Sequence, residues 1–402
     1  MALAKQPPVL TARALNRATL DRQLLLRRSP RARMSVLGAI EHLVGLQAQN
    51  VKPPYVALAA RLADFDPQEL SALMASREVG RLVTMRSTIH THSAADALVL
   101  RQLVQSGGPA RELRMFQGGL QGVDLDQLTV LARELVEGEP RTMKQLREAL
   151  LARWPHADPQ SLSIAARCLL PLVQITPRGL WGSSGQVRLT TAEHWFGRTA
   201  DPAATVDDLV LRYLGAFGPA SVKDMQTWSG LTRMREVFVR LRPRLLVFRD
   251  EKGVELFDLP DASRPDPSTP APPRFLPEYD NLLLSHADRS RVVAQDEHKS
   301  LTWRGNQSYP TLLVDGFLAG IWQLTQTEGR AGSESSKSSK SSKSSKVSET
   351  GEAGANRATL TVQLFAPLGK AQRAEVAEEA ERTLSALSSA ATYDIRFGRF
   401  LD

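Results

Sequence analysis

Gln47 and Gln49 stand on either side of Ala48, with Pro53-Pro54 close behind. A carboxamide has no titratable base, but its oxygen accepts hydrogen bonds and its NH2 group donates them. Two such groups aimed at one point can hold and orient a water. Their spacing decides whether they converge. On a helix, side chains two residues apart diverge by roughly 200°, whereas on extended backbone they face the same side. The spacing of Ile40, Leu43 and Gln47 fits one face of a helix over 35–46, and the two prolines force it to end nearby. If it ends at about Leu46, both carboxamides reach one water; the other reading is that they cap a helix end.

Other polar residues invite chemistry less. His90-Thr91-His92 on a strand would present both rings to one side, yet no third metal ligand stands nearby, so no metal is expected. Glu278, Asp280 and Asp288 lie in a stretch dense in Arg and His, a pattern equally suited to a buried structural ion-pair network. The single cysteine, Cys168, sits in the apolar run Ile164-Ala-Ala-Arg-Cys-Leu-Leu and reads as a small buried hydrophobe. One cysteine excludes disulfides and cysteine-rich zinc sites.

The elements that must position these residues repeat along the chain. Thr142 caps a short helix, a second helix spans about 159–173, and a strand pair with a glycine turn follows over 173–189. From Val206 the order recurs: helix 207–217, helix 222–229, helix 233–241, then a hairpin from Leu245 to Phe257 turning at Asp250-Glu-Lys-Gly. Thr11 to Arg28, Ser35 to Leu46 and Pro67 to Ala75 read as helices of an earlier copy, with strands at Gly80 to Met85 and Thr88 to His92. Three helices and a hairpin make a winged-helix plan, in which the third helix enters the major groove of DNA and the hairpin touches its backbone. Such modules also serve protein contacts.

The expected class is α+β: tandem winged-helix modules, mainly helical with β-hairpin wings, followed by a C-terminal β-rich, barrel-like domain. The modules are expected at 10–105, carrying Gln47 and Gln49, at 106–200 and at 201–262, with a proline-rich linker at 263–273 and the last domain at 274–402. Within the last domain, 328–357 carries Ser-Ser-Lys repeats without an apolar stripe and reads as a disordered loop between strands.

The net charge of +8 survives removal of that loop, which holds four Lys and two Arg against four Glu. About +6 therefore stays on the remainder, favouring a polyanionic partner. Arg86, Thr88, His90 and His92 around the first hairpin are candidate DNA contacts, as are Arg233 and Arg235 in the cluster Arg233, Arg235, Arg240, Arg242 and Arg244. The sequence has no apolar run of about 18 residues and no signal-like core at its start, so neither a membrane span nor export is expected. The expected location is cytoplasmic.

Several stretches match a known family. They are Val44-Gly-Leu-Gln-Ala-Gln with Pro54-Tyr-Val-Ala-Leu-Ala-Ala-Arg-Leu, Met85-Arg-Ser-Thr-Ile-His, Gly218-Pro-Ala-Ser, the long run from Leu276 to Val292, and Val314-Asp-Gly-Phe-Leu-Ala-Gly-Ile-Trp. In these the chain resembles the AlkZ/YcaQ-type winged-helix DNA glycosylases, bacterial enzymes that excise alkylated purines and unhook interstrand crosslinks. The resemblance implies that Gln47 and Gln49 are the catalytic pair, that no cofactor is used, and that the partner is double-stranded DNA with alkylated purines or crosslinks, met as a monomer. The family commonly has glycine where this chain has Ser87. Two neutral amides suit a base that is already cationic, as an N7- or N3-alkylated purine is, because its leaving needs no further protonation. Lys52 is the single lysine near the pair, so a Schiff-base lyase step is not expected and an abasic site is the expected product. The alternative is a noncatalytic winged-helix transcription regulator, although nothing in the sequence resembles a dimer helix.

Overall fold

The computed structural model describes residues 6–294, 303–304, 307–327 and 356–400. The Ser/Lys repeats expected to form a loop lie outside the described residues.

The first helix, Ala12–Arg22, is capped by the Thr11 hydroxyl, which accepts from the Ala14 amide. The second, Val36–His42, stops before the apolar pattern does. Val44 and Gly45 take left-handed φ values of 54° and 92°, which breaks the helix and starts the short strand Leu46–Gln47. The next helix, Pro53–Arg61, begins on the two prolines, where a missing N–H is tolerated. Pro67–Ala75 follows behind an Asp66 cap.

Five short strands make the central sheet. Their order is Leu46–Gln47, Ile89–Ser93, Val79–Val83, Leu172–Gln174 and Leu189–Thr191, each antiparallel to its neighbour. Strands from the first and second stretches of the chain thus share one sheet. Helices Leu125–Gly138, Met143–Arg153 and Pro159–Leu169 close over Leu128, Leu146, Leu150 and Leu162 beside it. Further on, helices Val206–Phe217, Val222–Ser229 and Arg235–Leu241 precede the hairpin Leu246–Asp250/Glu255–Asp258. Stacked Tyr213, Phe217 and Trp228 fill their core.

The C-terminal sheet has the order Thr392–Phe397, Arg357–Leu364, Phe317–Thr327, Thr311–Val314, Arg274–Leu276. It is open, not barrel-like. One face is covered by the helix Lys370–Leu387, which buries Val376, Ala380, Leu384 and Leu387. These side chains join Leu58 and Leu62 of the N-terminal part in one core, so the sheet needs no closure to hide its apolar face. The proline-rich segment runs along the first helix: Arg13, Arg17 and Arg22 donate to the carbonyls of Pro267, Thr269 and Ser263. Among the described residues no helix is long and apolar enough to cross a membrane.

A buried ion pair joins the helix Pro53–Arg61 to the turn at Asn281–Leu284. Arg61 donates through both terminal nitrogens to Asp280, at 2.8 and 2.9 Å. Asp280 also caps the turn Asn281–Leu284. Removing one partner of a buried pair strands the other charge, which costs about 3–5 kcal/mol. Asp280→Ala is therefore expected to lower unfolding free energy by about that amount in urea titration. Asp394→Ala, in the exposed pair with Arg396, should change it by less than about 1 kcal/mol.

Candidate active site

Gln47 ends its strand opposite His90, and Ala48 extends the pairing through its amide to the Ile89 carbonyl at 2.8 Å. The turn before it is fixed by contact: a Cβ on Gly45 would lie 2.2 Å from the His92 ring. Gln47 is 7% exposed, and Gln49, in the bend that follows, is exposed. The backbone is extended at Gln47, whereas Gln49 lies beyond the strand, in the bend.

The Gln47 oxygen accepts from Arg86 Nη2 at 2.6 Å. Arg86 Nη1 donates to the Trp228 carbonyl at 2.5 Å, and Nη2 lies 3.5 Å from His90 Nε2. His90 Nδ1 donates to the Thr88 carbonyl at 3.0 Å, which leaves Nε2 as the lone-pair nitrogen facing Arg86. Burial holds His90 well below the usual histidine range, and the Arg86 charge adds to this. His92, bonded through Nε2 to the Thr84 hydroxyl, is pulled down by burial to about 4. Both rings are neutral at physiological pH. Burial lowers Arg86 to about 10, helped by Arg289, so it stays cationic.

The carboxylates expected to be structural are occupied. Asp280 pairs with Arg61, Asp288 with Lys252, and Glu278 accepts from Asn50 at 2.8 Å. Arg81 donates to the carbonyls of Ala48 and Asn50, pinning the strap on both sides of Gln49. Among the described residues no group of three or more His, Cys, Asp or Glu could hold a metal ion.

The comparisons with known proteins decide the family. A model of the AlkZ-like DNA glycosylases matches residues 40–386. The chain belongs to the AlkZ-like DNA glycosylase family. An interstrand DNA cross-link repair glycosylase of Streptomyces sahachiroi is 24% identical over 329 residues, covering 77% of this chain and 86% of that protein. The solved structure of Streptomyces sahachiroi DNA glycosylase AlkZ has the same fold, with a TM-score of 0.74 at 19% identity, covering 97% of this chain and all of the other. This chain is accordingly an enzyme, a DNA glycosylase, and its partner is DNA.

The glycosylase gathers some of the expected contact residues and scatters others. Gln47, Arg86 and His90 meet; Thr88 is half-buried, its hydroxyl on the Met85 carbonyl. His90 and His92 are wholly buried, and their rings stack at 5.6 Å beneath Gln47 and Gly45. Of the distal arginines, Arg240 pairs with Asp207 and Arg242 with Glu255, whereas Arg233 and Arg235 are exposed without a hydrogen-bond or ion-pair partner among the described residues. Sequence reasoning missed Arg289. Its guanidinium is half-buried and lacks a hydrogen-bond or ion-pair partner among the described residues, and burial lowers its pKa. Its neighbour Arg291 is buried and bonded to Thr19 and Pro219, so the arginines of one short run divide between framework and site.

His92 makes the fold pH-sensitive. Its folded pKa of about 4 lies below the unfolded value near 6.5, so between these the unfolded chain binds more protons. Stability contributed by the neutral ring is full above the unfolded pKa and is lost as pH falls toward 4. From pH 7 to pH 5 this residue alone should remove about 2 kcal/mol. Urea titrations at the two pH values check it: His92→Asn should show a shallower dependence than the native protein.

Proposed function

We propose that this glycosylase hydrolyses the N-glycosidic bond of N7- or N3-alkylated purines in duplex DNA, unhooks interstrand crosslinks joined through such bases, and leaves an abasic site. The observation that carries the reading is that the groups meeting Gln47 offer no proton to a leaving base. Its contacts are a guanidinium and, beyond it, a neutral imidazole whose lone pair faces that guanidinium. Among the described residues that meet Gln47 none is a general acid for an ordinary leaving base, so on this reading the substrate supplies its own leaving-group activation. A cationic alkylpurine does. Gln47 and Gln49 then need to orient a water and set amide oxygens toward the oxocarbenium-like sugar, work worth several kcal/mol. The name of the Streptomyces relative, a cross-link repair glycosylase, favours bulky and crosslinked lesions among such substrates.

Arg233, Arg235 and the unpaired Arg289 supply phosphate contacts, Arg86 adds charge behind Gln47, and Thr88 lies at the edge of the same corner. The protein works as a cytoplasmic monomer, with no cofactor. Excision from duplexes bearing one N7-methylguanine, and from a duplex with one N7-guanine crosslink, tests the chemistry. Base release with alkali-sensitive breakage is expected, reduced about 10²-fold or more by Gln47→Ala or Gln49→Ala. Spontaneous rates on both substrates would sink the proposal. A separate test concerns the arginines: Arg233→Gln and Arg235→Gln should each weaken duplex binding uniformly across sequences and reduce the salt slope by about 1. Fluorescence anisotropy at several salt concentrations measures it.

A further inference from the structure

We propose that Arg86 is a positioning residue for Gln47, acting on catalysis by fixing the carboxamide and not by binding the DNA backbone. The inference rests on the catalytic reading of Gln47.

Arg86 has donors alone, so the Gln47 atom facing it at 2.6 Å must be the oxygen. This removes the twofold ambiguity of an amide. One lone pair of the oxygen is engaged, and the other remains for a water. Without Arg86 the side chain could turn its NH2 group to the same point, and a donor there cannot accept a proton-side bond from the water.

Arg86 is itself held rigidly. Its two terminal nitrogens reach the Trp228 carbonyl, Gln47 and the edge of His90. All three acceptors are neutral. Several other buried or half-buried arginines pair with carboxylates, as Arg22 does with Asp258, Arg61 with Asp280 and Arg212 with Asp96, whereas Arg81 and Arg291, like Arg86, donate to neutral acceptors alone. A guanidinium with three neutral acceptors is placed for direction more than for charge pairing.

The backbone carries the same message. Arg86 and Ser87 take left-handed φ values of 56° and 60°, each a strain of roughly 1–2 kcal/mol for a residue with a Cβ. Such strain persists where the surroundings over-determine it. Here glycines let two distant segments close on the corner. A Cβ on Gly108 would lie 2.5 Å from the Ser87 nitrogen and 2.8 Å from the Arg86 carbonyl carbon. A Cβ on Gly230, at φ 78°, would lie 3.4 Å from the Arg86 nitrogen and 3.6 Å from the Gly108 nitrogen, and a Cβ on Gly107 would strike the Gly230 carbonyl at 2.8 Å. The two ends of the cradle therefore come from the turn before Gly108–Met115 and from the end of Val222–Ser229. Three separate parts of the chain converge to aim one side chain at Gln47.

The test is a mutant cycle read by single-turnover excision of N7-methylguanine, with duplex affinity and thermal unfolding measured on each protein. Arg86→Met should slow excision on the order of 10²-fold, the penalty of a misplaced catalytic group, with duplex affinity unchanged. Arg86→Lys, which keeps a donor and the charge, should recover part of the rate, and it carries the test if the methionine variant does not fold. Arg86→Met/Gln47→Ala should be no slower than Gln47→Ala, because a positioning residue has nothing left to position. Weakened duplex binding with an unchanged rate at saturation, or losses that multiply in the double variant, would overturn the inference. Full activity in Gln47→Ala would instead overturn the catalytic reading of Gln47. An inactive Gln47→Ala beside a fully active Arg86→Met would reject Arg86 alone.

Discussion

The bidentate pair of Arg61 and Asp280 fixes where the two halves of the chain meet, and the site is assembled against that junction. Two charges out of water would be a poor way to gain stability alone. This pair is heavily supported. Arg61 also reaches the Ala57 carbonyl and Gln23, and Gln23 reaches the Ala216 carbonyl, so one network spans the first helix, the third and Val206–Phe217. Asp280 starts the turn whose next residue, Asn281, donates to the Gly45 carbonyl at 2.8 Å. Gly45 is the left-handed residue that converts helix into strand two positions before Gln47. A charge pair far along the sequence thus sets the backbone that presents the carboxamide. Its value lies in register, because an apolar pair of the same volume could not specify the direction of the Asp280 turn.

Around Gln47 the electrostatics run one way. The histidines are buried and neutral, the carboxylates Asp280, Asp288 and Glu278 are engaged by Arg61, Lys252 and Asn50, and the charges without a partner among the described residues, Lys52 and Arg289, are cations. Such a site is complementary to a polyanion and poor at protonating a leaving group. On the proposed mechanism, selectivity comes from the chemistry of the damaged base: an uncharged purine bound in the same pose has a bond that amides cannot help enough to break. On that same proposal, weak catalytic groups are a form of discrimination, since a stronger acid beside Gln47 would endanger undamaged DNA.

Much of this was legible in the sequence, and the gaps have physical causes. Residues 67–75 and the hairpin turning at Asp250-Glu-Lys-Gly announced themselves through caps, periodicity and turn chemistry. The helix expected to run to Leu46 stops at His42 because tertiary contact overrides its pattern: Gly45 lies flat on the His92 ring, a neighbour distant in sequence. The helix Lys370–Leu387 was passed over because strand-like segments dominate that region, and it carries few large apolar residues, relying on Val376, Ala380, Leu384 and Leu387. His90 and His92 looked like contact residues by type. Alternation on a strand cannot say which face is wet, and here their face is covered. Arg289 stands beside Arg291, which differs from it in burial and in its partners, properties with no local signature.

Ser87 shows how the corner tolerates a residue that its backbone resists. Its φ of 60° suits glycine, and a Cβ there raises the energy of the left-handed form. The side chain offers something in return. Its hydroxyl donates to Glu112 at 2.5 Å, and Glu112 is paired with Arg167 of Pro159–Leu169. A hydrogen bond to a charged acceptor contributes about 1.5–3 kcal/mol, comparable to the backbone strain it offsets. The bond also joins the corner to Gly108–Met115, the helix whose first residue already touches it. Glycine would relax the corner but leave it tied by packing alone, whereas serine accepts strain and adds a directional tether next to Arg86.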